Sequence, residues 1–572
     1  MKSGKQTEKN WCRLLLLGAL CVYILKNIFV GADIDEGYGI VLGYRLAIGD
    51  RLLLDMWEPH QTSGIFTALF IRPFLLATGG SLDFLNIYLR IVYFLIQGGI
   101  SWLLFWTLQS CVPGVDKKTA GALALVFFAC SPKSIFIPEY SNLHMWFFAL
   151  LCMSLIWYLG EQSPLRGQGW LAAAAGLALT CDVLAYPSMA VLLPVCLGLL
   201  LCRGGGKRWR ACGLFVLPCG VLALSLGAYL LSYMTWEQIG AAVGHVLGDG
   251  SHQTEPGGRL LMWLTAFGKM GLVLIISLGA AWGIAAACCR IRKELDRAVC
   301  FFTAFCMIHI VRMFYIWFTS QYNAAYSRLI YLGLGLLGIW CWCRVRNRGR
   351  NQGQEKAGLW LILLSWVSYL AVLLLSNWEP FLLTPYLVMG AIGGFLCWRA
   401  YLGERKAGKG AVLVCSAVLA CSCLFGYTFR IIGGELVPST LLEVRGYNHE
   451  GFRKGILTSY MTAYRYNKNA EIWAEAVPEG SAVLYVGPSQ FFYMLGDCVI
   501  ATPNTISTPV YDESLLAYWE QHPDRYPDVV VFESWYGDIR VVEEDSFIMQ
   551  WVKNEFQASE VEEYPYITVY KN

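Results

Sequence analysis

Apolar runs of about 20 residues recur along most of this 572-residue chain. Each run is long enough to cross a hydrocarbon core of ~30 Å as an α-helix. We predict about thirteen such spans, near residues 11–30, 84–110, 119–131, 143–160, 169–186, 188–203, 211–233, 261–289, 298–318, 324–343, 358–376, 381–399 and 409–430. The run at 63–79 is broken by Arg72 and Pro73, which favours a re-entrant or surface-lying segment. The chain is therefore predicted to be an α-helical polytopic membrane protein.

The composition excludes a soluble protein of this length. Only 15% of the residues are charged, whereas about a quarter are charged in ordinary soluble domains. No small-residue cleavage site follows the first apolar run, so we expect that run to be a retained helix. The bilayer is thus an expected partner, and no nucleic acid is expected.

The short loops between the runs fall into a basic set and an acidic set. The basic set contains Lys2, Lys5, Lys9 and Arg13, then Lys117 and Lys118, then Arg203, Lys207, Arg208 and Arg210, and further groups near 290, 344 and 405. The alternating set contains Asp33, Asp35, Glu36, Asp50, Asp55, Glu58, Glu139, Glu255 and Glu379. By the positive-inside rule the N-terminus is cytoplasmic, and an odd number of spans then places the C-terminus outside the cell.

The composition changes after residue 430. Residues 431–572 are rich in Tyr, Glu, Pro and Asn, and we call them the tail. Buried strands are predicted at 481–487, 528–534 and 566–571, with helices after Pro488 and at 514–522. Strands alternating with helices indicate a small extracytoplasmic α/β domain that follows the membrane domain of residues 1–430.

The loop at 31–83, here called the first outer loop, begins with the neighbouring acids Asp35 and Glu36. The apolar spacing of 37–48 predicts an amphipathic helix lying along the interface. Acids are favoured at helix starts, so helix capping explains the pair without any function. A carboxylate at the membrane surface also suits a reaction on a membrane-anchored substrate.

An apolar helix is followed by Asp35-Glu36, then by an amphipathic helix, and then by Ala47-Ile48-Gly49-Asp50. This order resembles the opening of GT-C membrane glycosyltransferases. These include the lipid A aminoarabinose transferases and protein O-mannosyltransferases, whose donors are polyprenyl-phosphate sugars. About thirteen spans with an extracytoplasmic α/β tail also resemble the aminoarabinose-transferase plan. The resemblance implies transfer to a cell-envelope glycan, glycolipid or protein, with Asp35 as the catalytic base and Glu36 as its support.

The chemistry fits these residue types. An inverting transfer needs a carboxylate to take the proton of the acceptor hydroxyl, and the phosphate leaving group needs cationic or amide donors. Arg328 precedes an apolar run, as an Arg does in related transferases, and is predicted to hold the donor phosphate. His60 and Gln61 are predicted to line the donor pocket, although Glu58-Pro59-His60 replaces a Lys-Pro of the aminoarabinose transferases. An interfacial Arg and a surface-loop His are the alternatives.

Other polar residues lie at the outer ends of helices. Glu139 and His144 fall in the second outer loop, and Asp182 and Tyr186 fall at the end of a helix pair where related transferases often carry a Lys. Each is a candidate for a sugar pocket and equally an ordinary polar loop residue. Asp33, Asp35 and Glu36 offer oxygen ligands for a divalent cation, but histidine spacing supports no metal site.

Two other functional classes remain open from the sequence. A transporter or flippase of lipid-linked sugars would have a similar number of spans, and it predicts polar residues near the bilayer midplane and inverted repeats. A membrane-tethered binding protein would carry its function in the tail. The gathering of ionisable residues at outer helix ends favours the glycosyltransferase.

Overall fold

The structure is a computed structural model. It describes residues 2–133, 135–203, 205–248, 256–319, 328–345, 352–376, 378–403, 406–431, 439–506, 513–533, 535–536, 539–540 and 542–572.

Helices form most of the chain up to residue 429. They are α1 (Lys2–Phe29), α2 (Ile34–Ile48), α3 (Gly64–Thr78), α4 (Leu85–Cys111), α5 (Lys117–Phe128), α6 (Tyr140–Leu159), α7 (Gly169–Ala185), α8 (Leu192–Arg203), α9 (Arg208–Leu231), α10 (Trp236–Leu247), α11 (Pro256–Ile291), α12 (Arg297–Phe318), α13 (Leu329–Val345), α14 (Gln352–Leu375), α15 (Val388–Leu402) and α16 (Lys406–Phe429).

A helix covers most of each of the thirteen predicted spans, and residues 324–327 of the span at 324–343 lie outside the described residues. Within the described residues, seven helices are long and apolar enough to cross a membrane, and four shorter ones are also apolar. The prediction of a polytopic α-helical membrane protein is confirmed. The broken run at 63–79 forms the single helix α3, which continues through Pro73 and, with 15 residues, is shorter than a full span.

Glycines allow the later membrane helices to pack closely. A Cβ on Gly338 of α13 would lie 2.7 Å from Gly394 Cα of α15, and one on Gly358 of α14 would lie 2.7 Å from Gly393 O. Such contacts between small residues are typical of helix packing in membranes, where van der Waals contact replaces the hydrophobic effect. These three helices therefore form a tightly packed layer.

The tail contains α17 (Tyr460–Ala476), α18 (Ser514–Gln521) and α19 (Phe547–Trp551) around a five-stranded sheet. The sheet consists of β5 (Ala482–Val486), β6 (Val499–Ile500), β7 (Val529–Glu533), β10 (Glu560–Glu563) and β11 (Ile567–Lys571), in the order β10-β11-β7-β5-β6. β5 is parallel to β6 and β7, with Leu484 opposite Val530, whereas β11 runs antiparallel to β7. The three predicted strands and the α/β character of the tail are confirmed.

Short paired strands flank this sheet. They are β1 (Arg430–Ile431) with β2 (Ser439–Thr440), β3 (Val444–Tyr447) with β4 (Leu457–Ser459), and β8 (Trp535–Tyr536) with β9 (Ile539–Arg540). The segment after Pro488 is a short 3₁₀ helix, Gln490–Met494, where the sequence predicted an α-helix.

The first outer loop shares its hydrophobic cores with the tail. Ile40 and Val41 of α2 pack in the same cluster as one face of the sheet, and Trp57 packs with the other face. The helix predicted at 37–48 is present, but protein covers most of it, on its polar side as well as its apolar side. The tail and α3 cover two of its sides: a Cβ on Gly37 would touch Phe491 at 3.4 Å, and one on Gly43 would lie 2.7 Å from Thr67 Cβ. Arg45 is therefore buried along with Ile40 and Val41.

Candidate active site at the first outer loop

Acidic side chains fasten the first outer loop to the tail. Asp50 Oδ2 lies 2.6 Å from Arg45 Nε, and its Oδ1 lies 2.6 Å from Arg525 Nη2. Burial raises the pKa of Asp50, but the two guanidinium groups outweigh it and hold the pKa below its usual value. Glu58 accepts hydrogen bonds from Thr505, at 2.5 Å from the backbone N–H and 2.7 Å from the hydroxyl. These two acids therefore have a structural role.

Glu36 faces the helical domain and is only 1% exposed. Its Oε1 lies 2.8 Å from Arg90 Nε and its Oε2 lies 2.6 Å from Arg90 Nη2, while Asn86 donates a third hydrogen bond at 3.1 Å. Burial acts against the carboxylate, but Arg90 outweighs it and lowers the pKa of Glu36. The pair fixes the start of α2, next to Asp35.

Asp35 is more accessible than Glu36, with 36% of its side chain exposed. Its Oδ2 lies 3.2 Å from Lys133 Nζ, which also donates to the Tyr140 hydroxyl and lies 4.7 Å from the centre of the Trp378 ring. Burial opposes the charge of Lys133, but Tyr140 and Asp35 favour it more strongly, and the pKa of Lys133 is raised. An accessible carboxylate is thus held beside a largely buried ammonium group.

Aromatic rings form a wall next to this pair. The His60 ring stacks on Tyr140 with their centres 3.9 Å apart and their planes 3° apart. Tyr186 lies 5.2 Å from His60. Aromatic side chains with a few polar groups are the usual lining of small-molecule sites. Of the predicted residues, the structure therefore brings Asp35, His60 and Tyr186 to one place.

Gln61 and Glu139 have their side chains committed to nearby backbone. The Gln61 amide accepts a hydrogen bond from Leu53 N–H at 2.8 Å and donates one to Glu58 O at 3.1 Å. Glu139 caps α6, accepting from Ser141 and Asn142 N–H at 2.9 Å each. Burial raises the pKa of Glu139. Both residues shape the loops around the aromatic wall.

His144 and Asp182 pair with each other inside the helical domain. Asp182 Oδ1 lies 2.6 Å from His144 Nδ1, and Ser368 Oγ lies 3.1 Å from His144 Nε2. All three side chains are buried. The order of contacts matches that of an Asp-His-Ser triad, but here it links α6, α7 and α14. His144 also lies 5.8 Å from Tyr186, so the network supports the aromatic wall from behind.

Arg328 lies behind the segment that carries Lys133. It is 2% exposed, and its guanidinium carbon is 5.1 Å from the ring centre of Tyr427 and 5.8 Å from that of Trp317. The Tyr427 hydroxyl donates to Ser131 O at 2.8 Å. Tyr427 thus connects Arg328 to the segment that carries Lys133.

The three acids proposed for a divalent cation do not converge. Glu36 turns to Arg90, and the Asp33 side chain accepts the Asp35 N–H at 2.9 Å. Across the ranges that the structure describes, no group of three His, Cys, Asp or Glu side chains forms a metal-binding arrangement. These contacts do not support a divalent-cation site formed by the three acids.

A groove of about 610 Å³ is lined mainly by α11, with Arg312 of α12. Lys269 lines it as well, and so does Glu379, the residue that follows Trp378 in the chain. Lys269 is exposed in the middle of the apolar helix α11. A cation at this position is costly in a membrane unless a polar or anionic group meets it. The groove therefore presents a cationic surface on a membrane helix, and its Glu379 follows Trp378, whose ring centre lies 4.7 Å from Lys133 Nζ.

Lys133 is the functional candidate that the sequence analysis missed. It lies between the runs at 119–131 and 143–160, in a set of loops that are otherwise nearly free of bases. An isolated Lys in that acidic set was the available signal.

Asp33 gives the site a pH-dependent contribution to stability. Burial, with a smaller contribution from Asp35, raises its pKa to about 7 in the folded chain, whereas an unfolded Asp titrates near about 4. Between these values the folded chain holds a proton that the unfolded chain has lost, so the free energy of unfolding falls as pH rises from about 4 to about 7. Thermal unfolding in detergent across this range should show a smaller slope in Asp33→Asn. The exposed control Asp545→Asn should keep the wild-type slope; equal slopes for wild type and Asp33→Asn would contradict the prediction.

No protein-family model matches the chain, and no curated protein sequence matches it. Solved structures are similar to it at low identity. ArnT from Cupriavidus metallidurans in the apo state is 12% identical with a TM-score of 0.43, covering 99% of this chain and 98% of that one. The Archaeoglobus fulgidus oligosaccharyltransferase in complex with Zn and sulfate is 11% identical with a TM-score of 0.43, covering 91% of this chain and 68% of that one.

The same archaeal oligosaccharyltransferase, AglB, in complex with an inhibitory peptide and a dolichol-phosphate is 10% identical with a TM-score of 0.43, covering 92% of this chain and 70% of that one.

Proposed function

We propose that this protein is an integral-membrane glycosyltransferase that moves a sugar from a polyprenyl-phosphate donor to a cell-envelope acceptor on the outer face of the membrane. The observation that carries the proposal is the Asp35–Lys133 pair, in which a carboxylate with 36% of its side chain exposed meets a largely buried ammonium group. A base for the acceptor and a cation for the leaving phosphate are thus adjacent.

In the proposed reaction, Asp35 takes the proton of the acceptor hydroxyl while the hydroxyl oxygen forms a bond to the anomeric carbon of the sugar. The bond between that carbon and the phosphate oxygen breaks, and the lipid phosphate leaves with the electron pair. Lys133 stabilises the charge that develops on the phosphate, because it is held rigidly and largely out of water. Asp35 then releases its proton to solvent.

The groove with Lys269 and Arg312 supports a lipid-linked donor. Its cations lie on α11 and α12, and its lining residue Glu379 follows Trp378, whose ring centre lies 4.7 Å from Lys133 Nζ. A polyprenyl chain lying in the membrane would bring its phosphate along this groove to Lys133. In this proposal His60, Tyr140 and Tyr186 contact the sugar, and Arg328 adds positive potential from behind.

The tail lies close enough to take part in acceptor binding. Arg453 donates from its Nη2 to Asp33 O at 2.9 Å, and Gly31 N–H donates to Leu457 O at 2.8 Å. These contacts put residues 453–457 beside the segment that carries Asp35. We therefore assign the acceptor to the space between the tail and the aromatic wall.

Lys133→Met tests the proposal. We expect transfer to fall about 10²–10³-fold, as for loss of one preorganised charge-stabilising donor. Lys133→Arg should restore part of the rate because it keeps the positive charge. The measurement is release of polyprenyl phosphate by purified protein from a panel of short-chain polyprenyl-phosphate hexoses and pentoses, with kcat and KM obtained separately.

Lys356→Met is the matched control, since Lys356 also pairs with an acid, Glu161, at 2.7 Å, but away from the segments assigned to the substrates. It should leave the rate within about twofold, as expected for a partly exposed ion pair. Movement of the lipid-linked sugar across vesicles without release of polyprenyl phosphate would replace this proposal with a flippase. An unchanged rate in Lys133→Met would remove Lys133 from the mechanism.

A further inference from the structure

A second groove lies at the opposite end of the membrane helices. It has a volume of about 840 Å³ and is formed by α11, α12, α13 and α15. Arg297, the first residue of α12, and Arg344, in the last turn of α13, line it. Arg290 and Arg292 follow at the end of α11, so this is the basic end of the bundle, which the positive-inside rule assigns to the cytoplasm.

The two arginines are exposed and face aromatic rings. The guanidinium carbon of Arg297 lies 4.0 Å from the centre of the Trp282 ring, and that of Arg344 lies 5.3 Å from the centre of the Trp340 ring. Neither forms an ion pair with a carboxylate among the described residues, and no acidic residue lines the groove. The ring contacts hold the two cations without neutralising their charge.

The rest of the groove is apolar and runs toward the middle of the membrane. It is lined by Leu274, Leu278, Phe305, Gly333, Leu336 and Leu337. Arg344 and Gly333 are eleven residues apart on α13, which corresponds to ~16 Å along a helix axis. This length matches half of a hydrocarbon core of ~30 Å, the depth that an acyl chain of one leaflet occupies.

We propose that this groove binds an anionic phospholipid of the cytoplasmic leaflet. Its phosphate lies between Arg297 and Arg344, since guanidinium groups form paired, charge-assisted hydrogen bonds with phosphate oxygens. One acyl chain lies along Phe305 and Gly333, where the groove has no polar side chain. Basic pockets between membrane helices on the cytoplasmic side are typical sites for anionic headgroups.

The site is separate from the glycosyltransferase site and does not depend on it. The Asp35–Lys133 pair lies in the outer loops, whereas Arg297 and Arg344 lie at the basic ends of α12 and α13. The bound lipid would tie α11, α12, α13 and α15 together, and α11 and α12 also carry the groove with Lys269 and Arg312. We therefore expect lipid binding to stabilise these helices.

The test is native mass spectrometry of the delipidated, full-length protein titrated with phosphatidylglycerol or phosphatidylcholine. Wild type should bind one phosphatidylglycerol in preference to phosphatidylcholine. The double variant Arg297→Gln/Arg344→Gln should bind phosphatidylglycerol about thirtyfold more weakly, because each Arg near an anionic headgroup contributes about fivefold. Thermal unfolding of wild type, but not of the double variant, should shift upward with phosphatidylglycerol.

Two further variants test whether binding depends on the groove and not only on the positive charge at this end of the protein. Arg290→Gln/Arg292→Gln removes the same charge from the basic end but outside the groove lining, and it should keep most of the phosphatidylglycerol affinity. Ala298→Phe fills the groove and keeps both arginines, and it should also weaken binding. Equal loss in the two double variants, or equal binding of both lipids by wild type, would overturn the proposal. Binding of inorganic phosphate as tightly as phosphatidylglycerol would also overturn it, since the acyl chain would then contribute nothing.

Discussion

Asp35→Asn is expected to lower sugar transfer by about 10²–10⁴-fold, the range typical for loss of a general base. The amide keeps the size of the side chain and its polarity, but it does not accept the proton of an attacking hydroxyl. Because the side chain of Asp35 is partly exposed, its ion pair with Lys133 contributes no more than about 1 kcal/mol to stability. Expression, membrane insertion and thermal unfolding should therefore stay close to wild type.

The effect should appear in kcat more than in KM for the lipid-linked donor, since a proton acceptor acts in the transition state. Release of polyprenyl phosphate under saturating donor is the measurement. Asp83→Asn is the matched control, because Asp83 is an acid of the same loop that also pairs with a lysine. Transfer by Asp35→Asn at more than about half the wild-type rate would exclude a general-base role for this residue.

The sequence was sufficient to predict the membrane helices and the main strands. Each apolar run of about 20 residues has only one low-energy solution in lipid, β5 and β7 are buried along their whole length, and β11 alternates the buried Ile567 and Val569 with half-buried residues. The helix α10 was missed because its 12 residues are too few to span a membrane, although Thr235 and Gln238 form a capping box there. The burial of α2 was missed because its neighbours lie in the tail, more than 400 residues away in the chain.

The candidate site was predictable where the local chemistry was distinctive. Asp35 follows an apolar span, and the adjacent sequence is enough to recognise it as a candidate. The adjacent sequence does not show that Asp35 is accessible whereas Glu36 is buried. That difference in exposure depends on Arg90, which is 54 residues from Glu36 in the chain and pairs with the Glu36 carboxylate. Lys133 is still farther from its partner, 98 positions after Asp35 in the chain. Side-chain pairs of this kind are set by helix packing.

The anchoring of the loop to the tail explains how one carboxylate stays accessible among many acids. Glu36, Asp50 and Glu58 each pair with partners in the helical domain or the tail. Their pairing fixes the loop on both sides of α2. Asp35 is left between these anchors, with Lys133 as its partner. A general base in this position is preorganised, which is the condition under which electrostatic catalysis costs no rearrangement during the reaction.

Glu36→Gln is expected to destabilise the protein by about 3–5 kcal/mol, because it leaves the Arg90 guanidinium buried without a counter-charge. Both side chains are nearly inaccessible, at 1% for Glu36 and 4% for Arg90. The free energy of unfolding in detergent, measured by denaturant titration, should show the loss, and transfer should fall only with the folded fraction.

Glu161→Gln provides the matched control for this variant. Glu161 pairs with Lys356 at 2.7 Å, but its side chain is 48% exposed. Removing an exposed pair costs about 0–1 kcal/mol because water already screens it. Comparable losses in the two variants would show that Arg90 is compensated by other contacts, such as the carbonyl oxygen of Gly31 at 2.7 Å. A much larger loss of unfolding free energy in Glu36→Gln would instead show that the buried pair of Glu36 in α2 and Arg90 in α4 holds the Asp35 segment in place.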